Sequence, residues 1–345
     1  MQLAIIDEGT PGHRTQSEGI AALLERAGVE VNVSRISVEN HLPGFLRSPM
    51  RALMSLPSPW LCRMLLPFCS RVELARERPD VLICSGGKSA FAARALSLYW
   101  RVPVIFVGVP EPFPDHWFSL IISPVERTFA VPSLVSGIIP TPVTPEKTAA
   151  AAKNLFPVGV SASGVSAGEC WAVLIGGNSK SHHYSEADWR AMVAGINTLG
   201  HQLGIRWLIT TSRRTPSDIE GLLEDELDEA LVEKLVLFRQ QPEKVVMGYL
   251  GQASRVLVTQ DSLTMASEAL ASGKPVTLLQ PEKLVVQPGS FFADMIERFP
   301  QLDGVEAVGM QQLGEYRPAV SEHQPLSLAG LEQPLLAFCK EQQLL

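Results

Sequence analysis

The stretch "RVLVTQDSLTMASEALASGKPV" (255–276) decides the fold, because a strand, a turn, a helix and the start of another strand follow one another without interruption. The apolar run 255–261 predicts a buried strand, and 262–273 predict a helix that ends at a glycine. "KPVTLLQP" (274–281) predicts the next strand. Strands that alternate with helices pack as a parallel sheet covered on both faces, so the sequence predicts an α/β fold.

The same alternation extends outward from this stretch through both halves of the chain. Apolar runs bounded by turn residues predict further strands at 3–7, 29–36, 80–87, 102–109, 118–123, 170–177 and 205–212. Amphipathic patterns predict helices at 15–28, 88–100, 185–204 and 217–235.

A change of composition divides the chain into two predicted domains. Residues 147–170 are rich in Ala, Ser and Gly, which is typical of a linker. We therefore predict a Rossmann-like domain over 1–150, a linker over 151–168 and a second Rossmann-like domain over 169–345. Two doubly wound domains joined in this way are expected to face a cleft.

The overall composition excludes several classes of protein. The chain has 345 residues, a net charge of -7 and five cysteines without a C-x-x-C pair. Zinc and redox motifs, and a basic surface for nucleic acid, are therefore not expected. No apolar run has the length of a signal peptide or a transmembrane helix, so we expect a cytoplasmic protein.

One segment, 40–72, departs from the alternating pattern. It contains Arg47, Arg51, Arg63 and Arg71, no acidic residue, and many Leu, Met, Phe and Trp residues. This composition is typical of a helix that lies on an anionic bilayer, so we predict a peripheral membrane contact here. The alternative is a pair of core helices whose arginines face solvent.

The first loop with candidate chemistry is "EGTPGHRTQS" (8–17). Gly12 allows close approach of the backbone to a ligand, and His13 is a candidate general base. The alternative is a capped turn that carries a surface histidine. There is no G-x-G-x-x-G, so the loop gives little support to dinucleotide binding.

The second half contains two more loops of this kind. "LIGGNSKSHHYSEADW" (174–189) predicts a diphosphate loop that ends at Ser185, the expected cap of the next helix. His182 and His183 are adjacent, which is a poor geometry for one metal, and no metal is expected. In "TTSRRTPSD" (210–218) Arg213 is the candidate phosphate ligand, and Arg214 alone is as easily a solvated side chain. The predicted ligands in these two loops are Gly176, Gly177, Asn178, Ser179, Ser181, Ser212 and Arg213.

The helix start after 255–261 carries the last predicted site. Acidic and hydroxyl residues crowd it, which suits hydrogen bonding to an anionic group. A carboxylate one or two turns farther along can reach ribose hydroxyls, since each turn advances 5.4 Å. The alternative for Glu268 is a solvated helix residue. The predicted ligands are Asp261, Ser262, Thr264, Ser267 and Glu268.

These motifs, in this order, resemble a family of GT-B-like proteins. Its plant members are linked to mitochondrial fission, and its bacterial members were often labelled nucleoside-diphosphate-sugar epimerases. More distantly, the chain resembles the lipid-linked N-acetylglucosaminyltransferase of peptidoglycan synthesis. The resemblance covers 3–280, implies a GT-B fold, and implies a ribose-binding role for Glu268. The matching motifs are "GTPGHRTQSEG", "LIGGNSKSHHY", "TTSRRTP" and "VTQDSLTMASEALASGKPV".

The chain departs from the family pattern at two places. Glu8 and Thr10 stand where the family opening has Asp and Lys, although His13 matches. "PVER" (124–127) stands where the family has P-x-H-D, so the His-Asp pair is missing. The missing His-Asp pair puts any catalytic role for 124–127 in doubt.

Three hypotheses about function follow. The first is an inverting glycosyltransferase that uses a nucleotide-diphosphate sugar, without a further cofactor, on a lipid-linked or envelope saccharide. The second is a non-catalytic GT-B-like scaffold that recruits partners at a membrane. The third, an epimerase with bound nicotinamide, has little support because neither G-x-G-x-x-G nor a suitably placed Y-x-x-x-K is present.

Overall fold

The computed structural model describes residues 1–73, 77–157, 169–179, 181–319, 326 and 328–345. The chain divides into two compact units, of which unit 1 comprises Met1–Pro142 with Ser327–Leu345 and unit 2 comprises Val143–Leu326. These bounds differ from the predicted domains at the C-terminus, because the last helix packs on the first helix of unit 1.

Unit 1 contains seven described strands and five described helices. Its strands are β1 (Gln2–Asp7), β2 (Asn32–Asn40), β3 (Ser70–Val72), β4 (Val81–Ser85), β5 (Val104–Val107), β6 (Leu120–Ser123) and β7 (Ser133–Val135). Its helices are α1 (Pro11–Arg26), α2 (Arg47–Met54), α3 (Pro59–Cys69), α4 (Ala90–Trp100) and, at the end of the chain, α11 (Glu332–Glu341).

Unit 2 contains six described strands and six described helices. Its strands are β8 (Cys170–Leu174), β9 (Arg206–Thr210), β10 (Val232–Val236), β11 (Arg255–Thr259), β12 (Val276–Gln280) and β13 (Val305–Gly309). Its helices are α5 (Pro145–Leu155), α6 (Glu186–Leu203), α7 (Ser217–Glu226), α8 (Val246–Gln252), α9 (Leu263–Ala271) and α10 (Phe291–Arg298).

Each unit has one doubly wound sheet. The order in unit 1 is β3-β2-β1-β4-β5-β6-β7, and every neighbouring pair is parallel except β2 with β3. The order in unit 2 is β10-β9-β8-β11-β12-β13, with all pairs parallel. The central strands are buried along their whole length, as expected for sheets with helices on both faces.

Three predicted boundaries are wrong, each for a local reason. The first helix begins at Pro11, not at residue 15, because proline is well tolerated in the first helical turn. The predicted helix 217–235 ends at Glu226, and 232–236 instead form β10 beside β9. Residues 151–155 of the predicted linker belong to α5, which Thr144 caps, and 158–168 lie outside the described residues.

Candidate functional site

In both sheets the chain reverses its direction of winding between two central strands. In unit 1 this point lies between β1 and β4, and in unit 2 it lies between β8 and β11. Ligands of doubly wound folds bind outside the carboxyl ends of the strands at such a point. The loops that follow these four strands are therefore the places to look for a site.

In unit 1, a carboxylate and a histidine meet at this point. The Glu8 side chain is only 3% exposed, and its Oε1 lies 2.7 Å from Nδ1 of His13, which lies in the first turn of α1. Its Oε2 accepts hydrogen bonds from the backbone N–H groups of Lys88, at 2.9 Å, and Ser89, at 3.0 Å, just before α4. Glu8 therefore has two roles: it accepts hydrogen bonds from N–H groups just before α4, and it fixes the orientation of the His13 imidazole.

The electrostatics of this pair favour an ionised Glu8. Burial raises the pKa of Glu8, but the hydrogen bond and charge of His13, with hydrogen bonds from Thr10 and Ser89, outweigh it and lower the pKa overall. A carboxylate at Nδ1 holds the ring proton on that nitrogen. We therefore assign the Nδ1–H tautomer, which leaves Nε2 of the 36% exposed His13 side chain as a proton acceptor.

The loop after β4 approaches this pair closely. Gly86 has a φ of +83°, and a Cβ there would lie 2.2 Å from His13 Nδ1, so only glycine fits. The Ser85 hydroxyl donates a hydrogen bond of 2.6 Å to Gln16 on α1. No role was predicted for "SGGKS" (85–89), although its two glycines and a serine between a strand and a helix are typical of a binding loop.

The segment Pro124–Arg127 carries an ion pair in place of the family's His-Asp pair. Arg127 Nη1 lies 2.6 Å from Glu111 Oε1, and the Arg127 side chain is largely buried. The Ser123 hydroxyl, which precedes this segment, donates to the backbone carbonyl of Val125. The segment therefore supplies no histidine for catalysis.

In unit 2, the corresponding point is built around Asp261. Its fully buried carboxylate accepts hydrogen bonds from the Gly177 N–H and the Tyr184 hydroxyl, each at 3.1 Å. Its Oδ2 also lies 2.6 Å from Nη2 of Arg214, whose side chain is 40% exposed. Asp261 therefore positions the partly exposed guanidinium of Arg214, and its own charge is used in this ion pair instead of facing a ligand.

Burial and hydrogen bonding act against each other at Asp261. Burial raises its pKa overall, while the Arg214 charge and the hydrogen bonds from Thr259, Gly177 and Tyr184 act to lower it. The same burial raises the pKa of Tyr184, so its hydroxyl remains a donor to Asp261. The three loops are thus joined by one buried polar cluster.

The two glycines after β8 allow the three loops to come together. A Cβ on Gly176 would lie 2.3 Å from Asp261 Oδ2, and one on Gly177 would lie 2.2 Å from the Arg214 carbonyl oxygen. The Thr215 hydroxyl also donates a 2.5 Å hydrogen bond to the Gly176 carbonyl. These glycines therefore permit close packing between loops of the protein itself.

The polar side chains that follow these glycines bond mainly within their own loop. Asn178 Oδ1 accepts from the Tyr184 N–H at 2.8 Å, and Ser179 Oγ accepts from the N–H groups of Ser181 and His182. The Ser181 hydroxyl lies 3.0 Å from Nδ1 of His182, which is fully buried and whose pKa burial lowers. Ser185 caps α6 by accepting from the Asp188 N–H, as predicted.

The two arginines after β9 have different environments. Arg213 is exposed, and within the described part of the chain its guanidinium has no hydrogen-bond partner. Arg214 is fixed by Asp261, and its N–H donates to the Ser212 hydroxyl oxygen at 3.2 Å. Sequence reasoning favoured Arg213, because nothing local to "SRR" shows that the following residue meets a carboxylate from another loop.

The start of α9 has no side-chain cap among the described residues. Ser262 is its N-cap but makes no capping hydrogen bond with its side chain, and Thr264 lies half-buried in the first turn. Ser267 is fully buried against the protein interior. Free N–H groups at a helix N-terminus favour phosphate oxygens.

Glu268 differs from every other carboxylate at this site. It is half-buried, and no hydrogen-bond partner for its carboxylate lies among the residues that the structure describes. Burial raises the pKa of Glu268 to about 7. A carboxylate in this state gains from a ligand that donates hydrogen bonds to it.

The described residues form no cluster that could ligate a metal ion. In the described ranges, no three His, Cys, Asp or Glu side chains converge as they would around a metal ion. No described helix is long and apolar enough to cross a membrane.

Two solved structures show what fold these units belong to. Over 99% of this chain and 96% of the other, it is similar to S. aureus MnaA in a co-structure with UDP, with a TM-score of 0.55 and 12% identity. It is also similar to the Methanocaldococcus jannaschii UDP-GlcNAc 2-epimerase in complex with UDP-GlcNAc and UDP, over 99% and 100% of the two chains, with a TM-score of 0.52 and 14% identity. The fold is GT-B, as predicted.

Comparison of the sequence with models of protein families assigns the chain to one family. The family model described as Mitochondrial fission ELM1 matches residues 11–301, so the chain belongs to that family, which confirms the resemblance. A Rickettsia prowazekii (strain Madrid E) protein, RP120, is 24% identical over 148 residues, which is 43% of this chain. The chain spans less than half the length of that relative, 42%.

Proposed function

We propose that the chain is a nucleotide-sugar-dependent glycosyltransferase whose unit 2 binds the nucleoside diphosphate. The observation that carries the proposal is Glu268, whose carboxylate has no partner among the described residues and which lies beyond the start of α9, while Asp261, the partner of Arg214, directly precedes the N-cap of that helix. The helix start and Arg214 bind the diphosphate, and Glu268, about 9 Å farther along the helix, binds the ribose hydroxyls. Complexes of similar GT-B proteins with UDP and UDP-GlcNAc support this assignment.

The remaining predicted residues have supporting roles in this proposal. The loop after β8 lines the diphosphate site, and the half-buried Thr264 and exposed Arg213 lie near the helix start and the β9 loop, respectively. Nearly all of these donors and acceptors are backbone groups, hydroxyls or guanidinium groups, so no metal is needed to bind the diphosphate. The loop residues are Gly176, Gly177, Asn178, Ser179, Ser181 and Ser212.

His13 is the proposed general base of the transfer, and Gly12 leaves room for the acceptor beside it. The acceptor hydroxyl gives its proton to His13 Nε2 while its oxygen bonds to the anomeric carbon. The bond from that carbon to the diphosphate breaks at the same time, so the configuration inverts. Glu8, at 2.7 Å from Nδ1, stabilises the imidazolium that forms.

We propose that the acceptor is a lipid-linked or envelope saccharide and that the protein works as a peripheral protein at a membrane. The support is that unit 1, which carries His13, also carries the cationic and apolar segment 40–72, which exposes aromatic and arginine side chains although Leu42, Met54, Cys62 and Cys69 are buried. A protein that acts on a saccharide carried by a lipid needs such a surface beside its acceptor site.

Calorimetry against UDP-, GDP-, ADP- and CMP-linked sugars tests the proposed donor site. We expect wild-type protein to bind at least one of them, and we expect Arg214→Ala to weaken that binding about tenfold or more, because a charge-assisted phosphate contact is lost. Arg213→Ala changes the neighbouring, unanchored arginine and is expected to have a smaller effect. Failure of all four donors to bind at millimolar concentration would overturn the proposal.

Turnover with the bound donor separates the transferase from the other hypotheses. Nucleotide release that collapses in His13→Ala rules out the non-catalytic scaffold. Conversion of the donor sugar to its epimer without any acceptor would instead contradict the transferase. This outcome is worth testing because one of the two similar structures, from Methanocaldococcus jannaschii, is a UDP-GlcNAc 2-epimerase.

A further inference from the structure

An exposed apolar surface covers α2, α3 and the turns beside them. We call it the α2–α3 face and define it by seven exposed side chains, of which Phe45 is 80% exposed, Trp60 70% and Phe68 65%. Contiguous apolar surfaces of this kind mark interaction sites in soluble proteins. The seven are Phe45, Leu46, Leu53, Leu56, Trp60, Met64 and Phe68.

The pattern of α3 shows that this exposure is built into the helix. Trp60, Met64 and Phe68 follow one another at intervals of four residues and therefore share one side of the helix. On the opposite side, Cys62 and Cys69 are fully buried and contact Met54. A surface helix normally turns polar residues to solvent. Since α3 is apolar on both sides, its exposed side is suited to contact with apolar material outside the protein.

The segment that carries the α2–α3 face is itself cationic, although Glu39 of β2 lies opposite Arg71 of β3 in the sheet. Segment 40–72 holds four arginines and no acidic residue, although the whole chain has a net charge of -7. Arg47, Arg63 and Arg71 are exposed, and the Arg63 guanidinium lies 4.9 Å from the ring centre of Tyr99, which is also exposed. Aromatic rings beside arginines are typical of side chains at a membrane–water interface.

We propose that the α2–α3 face docks on an anionic lipid bilayer. Phe45, Trp60 and Phe68 enter the boundary between headgroups and acyl chains, and Trp60 and Phe68 lie about 12 Å apart along α3. The exposed arginines bind lipid phosphates. Docking of a second copy through the same face is disfavoured, because it would bring the exposed arginines of the two copies together.

This inference deepens the proposed location at a membrane surface, but it does not depend on sugar transfer. The net negative charge of the chain opposes general attraction to anionic vesicles. Binding to such vesicles therefore has to come from a local surface. The α2–α3 face combines exposed aromatic side chains with the arginines of segment 40–72 in that way.

Vesicle co-sedimentation of the full chain tests the docking surface. We expect binding to vesicles of phosphatidylcholine with phosphatidylglycerol, and much weaker binding to phosphatidylcholine alone. The triple variant Phe45→Ser/Trp60→Ser/Phe68→Ser is expected to lose at least about tenfold in partition, because it removes the inserted apolar area. A matched control triple alters exposed apolar residues of unit 2 and is expected to bind like wild type: Phe238→Ser/Val285→Ser/Phe292→Ser.

A second variant tests the contribution of charge. Arg47→Gln/Arg63→Gln/Arg71→Gln is expected to lower the partition about a hundredfold, since each arginine near an anionic surface contributes about fivefold, or about 1 kcal/mol. Added salt is expected to weaken the wild-type binding in the same direction.

Three outcomes would overturn the inference. The first is that the wild-type protein does not bind anionic vesicles, and the second is that the control triple loses as much vesicle binding as the apolar triple. The third is a concentration-dependent dimer that the apolar triple abolishes, which would make the face an interface between copies. Calorimetry of the apolar triple with the donor sugar distinguishes this failure from failure of the proposed function, because the triple is expected to bind the donor like wild type.

Discussion

Replacing Asp261 with alanine is expected to lower the free energy of unfolding by about 3 kcal/mol. The buried carboxylate accepts from Gly177 N–H and the Tyr184 hydroxyl and pairs with Arg214, so its removal leaves two buried donors unsatisfied. Urea unfolding followed by circular dichroism measures the change. The same variant is expected to weaken nucleotide-sugar binding to about the extent expected for Arg214→Ala, because Arg214 loses the partner that positions it.

The matched control for this prediction is Asp225→Ala, at an exposed aspartate of α7 without a hydrogen bond in the described structure. Its effect on stability is expected to stay within about 0.5 kcal/mol. Asp261→Asn keeps the volume and one acceptor oxygen, so we expect an intermediate loss. If Asp261→Ala unfolded at the wild-type urea concentration, the buried cluster would not join the three loops as described.

Replacing Glu268 with glutamine is expected to stabilise the protein at alkaline pH and to leave it unchanged near pH 4. The native pKa of about 7 lies above the ordinary value of 4.5, so the native state holds this proton when the unfolded state has already released it. The wild type therefore loses stability as pH rises from about 4.5 to about 7, by about 3 kcal/mol in total. Glutamine remains neutral and avoids this loss.

Thermal or urea unfolding of both proteins between pH 4 and pH 8.5 measures the difference. Glu297→Gln, at an exposed position of α10, is the control and is expected to follow the wild-type curve. A Glu268→Gln curve parallel to wild type at every pH would show that this carboxyl is solvated like any surface glutamate. The donor nucleotide, in contrast, is expected to bind Glu268→Gln more weakly, since the ionised carboxylate is the better acceptor for ribose hydroxyls.

The central strands of both sheets were predictable because burial on both faces makes them continuous apolar runs. β8 and β11 are buried at every position and appear in the sequence as such runs. β10, "VEKLV" (232–236), is only partly covered, and its charged residues look like a continuation of α7. Helix α5 lies in an Ala-rich segment that resembled a linker, although Thr144 followed by Pro145 is a typical helix start.

The side chains of the candidate site were predictable only where a single loop defines them. Strand-to-helix spacing placed the glycines after β8 and Glu268 on α9, and their contact with a ligand stays a prediction. The roles of Glu8 and Arg214 could not be predicted, because their partners lie in loops that are distant in sequence. These loops meet only when the strands take their order in the sheet. Topology, which local patterns do not specify, therefore decides which polar residues act together.

The most direct test of the central claim, that unit 2 binds a nucleoside diphosphate at the end of β8 and β11, is a crystal structure of the protein soaked with UDP or GDP. We expect diphosphate oxygens within about 3 Å of the Arg214 guanidinium and of the N–H groups at the start of α9, with ribose hydroxyls on Glu268. A nucleotide bound elsewhere in unit 2, or a wild-type site that stays empty in crystals soaked with either nucleotide, would contradict the claim.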